Sequence, residues 1–386
     1  MTTVKSFKYR LNPTAAQEQL FRQFAGCRRF VWNWALARKQ ETYQATGKRL
    51  TYTALASELV ELKRQPETAF LQECHSQVLQ QVLMDLERAF MNFFEKRAGF
   101  PRFKSKKRTS PTFRIPQHVT VIDNQVRLPK VGLVKATIHR SLEGVVTSAT
   151  VKQDATGNWY VTFVSHLEQP ENMVRTACTP VGIDVGLSSF VTLDDGTKVA
   201  APRLYRRSER KLKRLQRQVS RCTKGSKSRN RARLALARQH QKVRNQRTDF
   251  LHKLSINLIR TFDALCIEDL NIKGLARSKL AKSFTDAGLG SFVRMLEYKA
   301  VWWSRQVVRV SRWFASSKTC FSCGAVHQLP LSERTWNCSR CGARHDRDMN
   351  AARNILREGL RVLAVGSTES QTAAGAHVRL ATASSA

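Results

Sequence analysis

The N-terminal part of the chain switches from a strand-like to a helical pattern of hydrophobic positions. Apolar and polar residues alternate over 2–12, and apolar residues then recur at helical spacing to about Tyr43. Asn12 before Pro13 predicts the start of this helix, with Asn12 as its cap. Further helical stretches follow at 52–63 and 75–97. The pattern predicts a helical unit over residues 13–105, which ends in a basic loop with aromatic residues.

Short β runs replace the helical pattern from about residue 111 to 167, with a turn at Gly157-Asn158. They predict a small β-barrel or sandwich. We expect the first strand to join it, so that residues 1–12 and 106–178 form one β unit and the helices are an insertion.

The second half of the chain mixes strands and helices. Three short strands are predicted between 180 and 201, followed by a long helical hairpin over 203–258 that breaks at 223–226. The remaining predicted elements are a strand at 264–268, a helix at about 290–306, a strand at 307–313 and a final helix at about 347–360. Residues 363–386 are rich in small polar residues and predict a disordered tail.

Net charge is the strongest feature of the composition. The chain has 66 Lys and Arg against 29 Asp and Glu, a formal charge of +37, and residues 206–247 hold 17 basic residues and a single acid, Glu209. A duplex of about 20 base pairs presents roughly 40 phosphates, so the charge matches a long nucleic acid. A ribosomal or packaging protein would carry the same charge, so charge alone does not predict catalysis.

Membrane and secretory signals are missing from the sequence. No apolar run approaches the roughly 18 residues of a membrane span, and the N-terminus has no apolar signal core. Five of the nine cysteines are scattered singly, unlike a secreted disulfide framework. We therefore expect a cytoplasmic protein without a membrane partner.

Four cysteines near the C-terminus have the spacing of a zinc site. Two CxxC pairs, Cys320 with Cys323 and Cys338 with Cys341, are separated by fourteen residues. Four sulfur ligands leave no open position on the metal, so the pattern predicts one structural Zn²⁺ rather than a catalytic one. His327 and His345 are alternative ligands, although the spacing does not require them.

Three acids stand in otherwise apolar or helix-opening positions: Asp184, Glu268 and Asp348. A buried carboxylate is costly unless it is paired or binds a cation. Three carboxylates from separate elements can hold the two Mg²⁺ ions of phosphodiester hydrolysis, with Mn²⁺ as a possible substitute. We prefer Glu268 over its neighbour Asp269, which faces the other way, and assign Asp346 to the cap of the last helix.

The order of these segments resembles the TnpB family, transposon-encoded RNA-guided endonucleases related to type V CRISPR effectors. The resemblance rests on three acid-bearing segments, with the four-cysteine module before the third: Gly-Ile-Asp184-Val-Gly-Leu, Cys-Ile-Glu268-Asp-Leu and Arg-Asp348-Met-Asn-Ala-Ala-Arg-Asn-Ile. These look like the split RuvC-like nuclease motifs. Similar stretches elsewhere extend the resemblance over about residues 4–362.

The resemblance implies a multidomain α+β protein with catalytic residues Asp184, Glu268 and Asp348. Its parts would be a wedge β-barrel with an α-helical recognition insertion, an RNase H-like RuvC nuclease over 179–313 and 343–362, and a zinc module over 314–342 that binds target nucleic acid. A single protein would bind one guide RNA from the transposon end, read a short motif beside double-stranded target DNA and cut it.

Nucleic-acid contacts are expected at seven residues. Tyr52 and Gln80 fall where the insertion resembles the family's motif-reading surface, although a helix-surface or capping role is as consistent with the sequence. The others lie in basic stretches: Arg102, Lys104, Arg210, Arg214 and Arg217.

Three other functions remain open from the sequence. Some relatives lose catalytic acids and act as guided repressors, so an RNA-guided binding module without cleavage is one alternative. A zinc-containing nucleic-acid-binding protein without a guide, and a transposase in the strict sense, are the others. The presence of all three acids favours the endonuclease.

Overall fold

The computed structural model describes residues 2–168, 179–275, 277, 280–330 and 332–373. The chain divides into two compact units, residues 1–169 and 170–386. The domain boundaries expected within these units stay predictions. No helix in the described part is long and apolar enough to cross a membrane.

Seven strands of the first unit form one antiparallel sheet. They are β1 (Thr2–Asn12), β2 (Thr112–Ile115), β3 (Thr120–Ile122), β4 (Gln125–Leu128), β5 (Gly132–Thr137), β6 (Val145–Gln153) and β7 (Trp159–Glu168). Their order is β2-β6-β7-β1-β5-β4-β3. The first strand therefore does join the later ones, between β7 and β5. Within the described residues no pairing connects the edge strands β2 and β3, so a closed barrel is not confirmed.

The helices of the first unit lie between β1 and β2 in the chain. They are α1 (Ala15–Thr46), α2 (Tyr52–Arg64), a short 3-10 helix (Pro66–Glu73) and α3 (Ser76–Phe94). They share a core with the sheet, where Phe21 and Phe24 of α1 pack on Phe113 at centroid distances of 5.7 and 5.4 Å.

The predicted cap of α1 is wrong. Asn12 is still part of β1, opposite Lys135 of β5. Thr14 caps the helix instead, because its hydroxyl accepts the N–H of Gln17 while the Gln17 side chain accepts the N–H of Thr14. This reciprocal pair satisfies two N–H groups that the helix leaves open, which Asn12 cannot reach from the strand.

The second unit contains a five-stranded mixed sheet. Its strands are β8 (Pro180–Val185), β9 (Ser189–Leu193), β10 (Lys198–Ala200), β11 (Ala264–Glu268) and β12 (Gln306–Val310). Their order is β10-β9-β8-β11-β12, in which β8, β11 and β12 are parallel and β9 and β10 antiparallel. A small hairpin, β13 (Thr335–Asn337) with β14 (Arg344–Asp346), follows near the cysteines.

The described residues of the second unit also form six helices: α4 (Leu204–Arg221), α5 (Lys227–Thr261), α6 (Ile272–Leu275), α7 (Ala281–Ala287), α8 (Leu289–Trp302) and α9 (Arg347–Ala373). The predicted helical hairpin corresponds to α4 and α5. Side chains of α5 and α8 share a core with β8, β9 and β11, whereas Ile355 of α9 packs with Cys266 and Val308. Helices thus cover both faces of the sheet.

The end of the chain differs from the sequence-based expectation. Residues 363–373 continue α9, although they were expected to belong to a disordered tail. Residues 374–386, the rest of that predicted tail, lie outside the described residues. Five of these eleven residues, Leu363, Ala364, Glu369, Gln371 and Ala373, have high helix propensity. The segment also extends a helix that is already formed, so adding these residues requires no new nucleation.

Candidate metal centres

Two of the predicted acids, Asp184 and Glu268, lie near the C-terminal ends of adjacent parallel strands. Ile183 of β8 lies opposite Ile267 of β11, so Asp184 and Glu268 occupy the next position on each strand. Alternation along a strand places both acids on the face opposite to these two buried isoleucines. Asp184 and Glu268 therefore point to the side of the sheet that α9 covers.

Two glycines bring α9 against that face. A Cβ atom on Gly182 would overlap the carbonyl oxygen of Ala352 and lie 2.8 Å from the Cβ of Leu356. On the helix, a Cβ on Gly359 would lie 2.6 Å from the Cβ of Cys266. The close approach fixes the register of α9 on β8 and β11. Asp348, one helical turn before Ala352, consequently faces Asp184.

The three acids affect one another electrostatically. Burial raises the pKa of Asp184 to about 7, and the carboxylates of Asp348 and Glu268 contribute to the same rise. Burial also raises the pKa of Glu268. The clustered negative charge is unfavourable in the protein alone, and a bound cation would relieve it. The structure thus brings all three predicted residues to one site.

The neighbouring acids have other partners. Asp269 is bound by Arg309 at 2.6 Å and by Arg312, and these arginines lower its pKa. Asp346 accepts the N–H of Met349 at 3.0 Å, which is the predicted capping role, and pairs with Lys198 at 2.7 Å. These contacts support the choice of Glu268 over Asp269 and of Asp348 over Asp346.

The carboxylates offer the hard oxygen ligands that Mg²⁺ prefers, so the donor set fits that ion. The ligand oxygens of the three acids lie farther apart than the sulfurs of the four cysteines. In the part of the chain that is described, only the cysteine group has ligand atoms all within 4.8 Å of one another. Asp348 also lies 3.4 Å from Arg334, measured from carboxylate oxygen to guanidinium nitrogen.

The four cysteines converge as predicted. Cys320 and Cys341 have their sulfurs 3.7 Å apart, and those of Cys323 and Cys338 are 3.6 Å apart. Each CxxC is followed by a glycine with positive φ, and in each the first cysteine's carbonyl accepts the glycine N–H at 2.9 Å. Two equivalent tight turns therefore present four sulfurs to one point, as a structural zinc site requires.

The two histidines near the cysteines lie outside this sulfur set. His345 Nε2 lies 3.1 Å from the sulfur of Cys320, and His327 Nε2 lies 3.2 Å from that of Cys338. Both rings pack on Trp336, with centroid distances of 4.8 and 4.9 Å. The geometry supports a second layer around the thiolates, of the kind that orients metal ligands.

Two asparagines that the sequence analysis missed connect the cysteine module to α9. Asn350 accepts the N–H of Phe321 at 3.0 Å and donates to the carbonyl of Thr319 at 2.8 Å. Asn354, one turn later, donates to the carbonyl of Ser316 at 2.9 Å, and both asparagines are buried. The sequence signal of such a bridge is a pair of asparagines one turn apart in the helix that follows the cysteines.

The predicted nucleic-acid contacts are scattered. Arg210, Arg214 and Arg217 are exposed and follow one face of α4, opposite the buried Leu212 and Val219. Spacings of four and three residues place the arginines in one stripe.

In the first unit, Gln80 and Arg102 are exposed, whereas Tyr52 is partly buried against the core. Lys104 is also partly buried, with its ammonium 3.1 Å from the ring centre of Trp32. Burial, followed by the charge of Arg28, lowers the pKa of Lys104 to about 7. Lys104 therefore packs within its own unit.

Several relatives resemble this chain in sequence, two of them over more than nine-tenths of their own length. A protein of Streptomyces pristinaespiralis named "Putative RNA-guided DNA endonuclease" is 40% identical over 94% of this chain and 91% of its own. "Putative RNA-guided DNA endonuclease InsQ" of Escherichia coli (strain K12) is 37% identical over 95% of both chains. A mimivirus relative, "TnpB-like protein L79", is 27% identical over 59% of this chain and 46% of its own. The chain belongs to the TnpB family.

Family models divide this TnpB-family chain into three segments. "Probable transposase" matches residues 163–279, which contain Asp184 and Glu268. "Cas12f1-like, TNB domain" matches 290–355, which contain the cysteines and Asp348. "Helix-turn-helix domain" matches 1–48, where the described residues form β1 and the single helix α1.

A solved structure has the same overall fold as this TnpB-family chain. It is the "Cryo-EM structure of the Cas12f1-sgRNA-target DNA complex", with a TM-score of 0.50, 13% identity, and coverage of 92% of this chain and 98% of that chain. At this identity the likeness concerns the fold alone.

Proposed function

We propose that this protein is an RNA-guided DNA endonuclease that hydrolyses phosphodiester bonds at Asp184, Glu268 and Asp348. The observation that carries the proposal is the convergence of these acids, which helps to raise the pKa of Asp184 to about 7. Such perturbed, clustered carboxylates mark functional sites. The names of its relatives as RNA-guided DNA endonucleases support the same activity.

The three carboxylates would hold two Mg²⁺ ions, or Mn²⁺ in their place. The pair of ions would stabilise the attacking and leaving oxygens of the scissile phosphate. The charges of Asp348 and Glu268 both act on Asp184, because each of them raises its pKa. We therefore expect Asp184, Glu268 and Asp348 to hold the ions jointly, with Asp184 as the central member of the set.

The remaining parts of the chain have supporting roles in this proposal. The first unit would be the wedge and recognition part, and the mixed sheet with its helices the RuvC-like nuclease. One Zn²⁺ on the four cysteines would order the loop that Asn350 and Asn354 attach to α9, next to Asp348. Zinc would thereby stabilise the nuclease site without acting in the chemistry.

The nucleic-acid partners follow from charge and from the relatives' names. A charge of +37 suits a guide RNA together with a guide–target heteroduplex. The protein would contact the sugar-phosphate backbone of this heteroduplex. We propose that the guide derives from the transposon end, that a short flanking motif is read on the DNA, and that one protein acts with one RNA. The cytoplasmic location stays a prediction.

The experiment that tests this function begins with the RNA that copurifies with the full chain. Sequencing it defines the guide, and a plasmid library with randomised flanks then reports the motif and the cut. We expect Mg²⁺-dependent cutting that requires the guide and is lost in Asp184→Ala but not in Asp195→Ala, where the side chain accepts the N–H of Thr197 in a turn.

Two results would contradict the proposal. Guided binding without any product from the unmodified chain would indicate a guided repressor. If the copurifying RNA is a mixture that contains no defined species, the result would indicate a nucleic-acid-binding protein that uses no guide.

A further inference from the structure

A cavity of about 340 Å³ opens on the first unit between the C-terminal ends of α1 and α3. Five of its eleven lining residues are aromatic. Phe100, in the loop after α3, packs edge-to-face on Phe90 and Phe93 at centroid distances of 5.5 and 5.3 Å. Phe94 and Tyr43 add two rings that are 51% and 60% exposed. Nothing in the proposed nuclease chemistry uses this cluster.

These aromatic rings are too exposed to solvent to serve only as part of the hydrophobic core. Large apolar side chains grouped on a surface mark binding sites more often than isolated ones do. Here Phe100 contacts Phe90 and Phe93 edge-to-face, which holds these three rings in place before any ligand arrives. The volume lies within the range of sites for small flat molecules.

Charged groups around the cavity restrict its ligand. The guanidinium of Arg49 lies 4.1 Å from the ring centre of Phe94, and no ion pair to Arg49 occurs within the described residues. The carboxylate of Glu87 lines the cavity and is 43% exposed, held at 2.7 Å by the ammonium of Lys39. Lys39 also donates to the carbonyl of Leu50 at 2.6 Å.

We propose that this cavity binds one unstacked base of a single-stranded nucleic acid. The aromatic rings would stack on the base, as they do in proteins that bind single strands. The Glu87 carboxylate, which keeps free lone pairs beside its ion pair with Lys39, would accept from the exocyclic amino group of a base such as cytosine. Arg49 would contact the phosphate beside the bound base.

The charge of the whole chain favours this occupant over a second copy of the protein. Two chains of +37 repel each other, whereas a single strand brings the opposite charge. The inference deepens the proposed function, since it rests on a nucleic-acid partner. Its test, however, needs neither a guide nor cleavage.

The test measures how tightly the full zinc-loaded chain, freed of copurified RNA, binds labelled DNA strands of about ten cytosines or ten thymines. Fluorescence anisotropy at about 0.5 M salt suppresses phosphate contacts and leaves stacking. We expect Phe94→Ala and Phe100→Ala each to weaken cytosine-strand binding about fivefold or more, which corresponds to ~1 kcal/mol. Phe94→Trp should keep the affinity.

The matched control is Phe70→Ala, which removes a ring of similar exposure, 40%, from outside the cavity. It should leave binding unchanged. Glu87→Gln should reduce the preference for cytosine over thymine strands. Equal affinities of the Phe94 and Phe70 variants, or no preference for cytosine in the unmodified chain, would overturn the proposal even if the protein cuts guided targets.

Sedimentation of the same variants tests the competing occupant. A dimer that Phe94→Ala dissociates, with unchanged strand binding, would assign the surface to self-association and also overturn the proposal. A monomer at all concentrations, with weakened strand binding in the variant, supports it. If guided cutting fails while cytosine strands still bind through Phe94 and Phe100, the nuclease proposal fails and the base site stands.

Discussion

Gly182 and Ala352 meet backbone to backbone, with no room for a side chain on the strand. A Cβ atom at residue 182 would overlap the carbonyl oxygen of Ala352. Because Asp184 lies two residues after Gly182 and Asp348 one turn before Ala352, this contact sets the distance between two of the proposed metal ligands. A glycine thus controls the geometry of an acidic site to which it contributes no side chain.

Replacing this glycine should therefore damage both stability and activity. Gly182→Ala is expected to lower the free energy of unfolding by at least ~2 kcal/mol, because the added methyl group pushes α9 away from β8. Guided cleavage should fall with it. Thermal unfolding and cleavage rates check this, with Gly99→Ala as the control, since a Cβ there meets nothing within 4 Å. Similar stability of the two variants would contradict the packing argument.

Neighbouring acids should differ sharply in their effect on cleavage. Glu268→Gln and Asp348→Asn are each expected to slow cutting at least ~100-fold, because each removes a metal ligand. Asp269→Asn removes a carboxylate that binds Arg309 and Arg312, and should retain most of the rate. Single-turnover cleavage with guide-loaded protein measures the difference, and target binding should stay unchanged in all three variants.

The raised pKa of Asp184 predicts a stability that falls as pH rises. In the Mg²⁺-free protein the folded state keeps a proton on Asp184 up to about pH 7, whereas the unfolded chain loses it near pH 4. The folded state thus binds more protons in this window, and its stability decreases with pH through about 7. Asp184→Asn should raise the melting temperature at pH 8 by ~3 °C or more.

Added Mg²⁺ should act in the opposite direction. It binds the deprotonated carboxylates, so it should stabilise the unmodified chain at pH 8 more than at pH 6, and it should not stabilise Asp184→Asn to the same extent. Melting curves with zinc retained, at both pH values and with and without Mg²⁺, provide the measurement. An equal Mg²⁺ effect in both proteins would argue against a metal site at Asp184.

Loss of zinc should lower the stability of the chain and slow cleavage, although zinc takes no part in the chemistry. Cys338→Ser removes one of the four sulfurs, and we expect zinc release, a lower melting temperature and at least ~10-fold slower cutting. Asn350→Ala should keep the zinc but cost about 1–3 kcal/mol, because it leaves the N–H of Phe321 without its acceptor. Metal analysis and melting curves distinguish the two effects. Cys222→Ser, at a lone cysteine outside the module, serves as the control.

The arginine stripe on α4 should contribute to affinity through phosphate contacts. Replacing Arg210, Arg214 and Arg217 together by Gln is expected to reduce the slope of log affinity against log salt by about 3. The control is a triple change at Arg22, Arg64 and Lys253, basic residues that already pair with acids one turn away. Equal slopes for the two triple variants would exclude the stripe as a phosphate-binding surface.

The sequence by itself determined most of the long strands and helices and the cysteine quartet, and it singled out the three acids, but it did not predict the β13–β14 hairpin or the short helices α6 and α7. Periodicity specifies strands and helices locally, and the CxxC-Gly spacing specifies two tight turns, so these features need no distant contacts. It also distinguished the capping Asp346 from Asp348, because a helix start is a local event. The cap of α1 was misplaced by two residues, since the end of β1 depends on its pairing with β5, far along the chain.

Only the tertiary structure decided how these parts meet. The parallel register of β8 and β11, and the seating of α9 on Gly182 and Cys266, bring the three acids together from positions up to 164 residues apart. The arginine partners of Asp269, the asparagine bridge to the cysteine module and the aromatic cavity likewise depend on packing between distant segments. Such contacts follow from the shape of the whole unit, which no local pattern specifies.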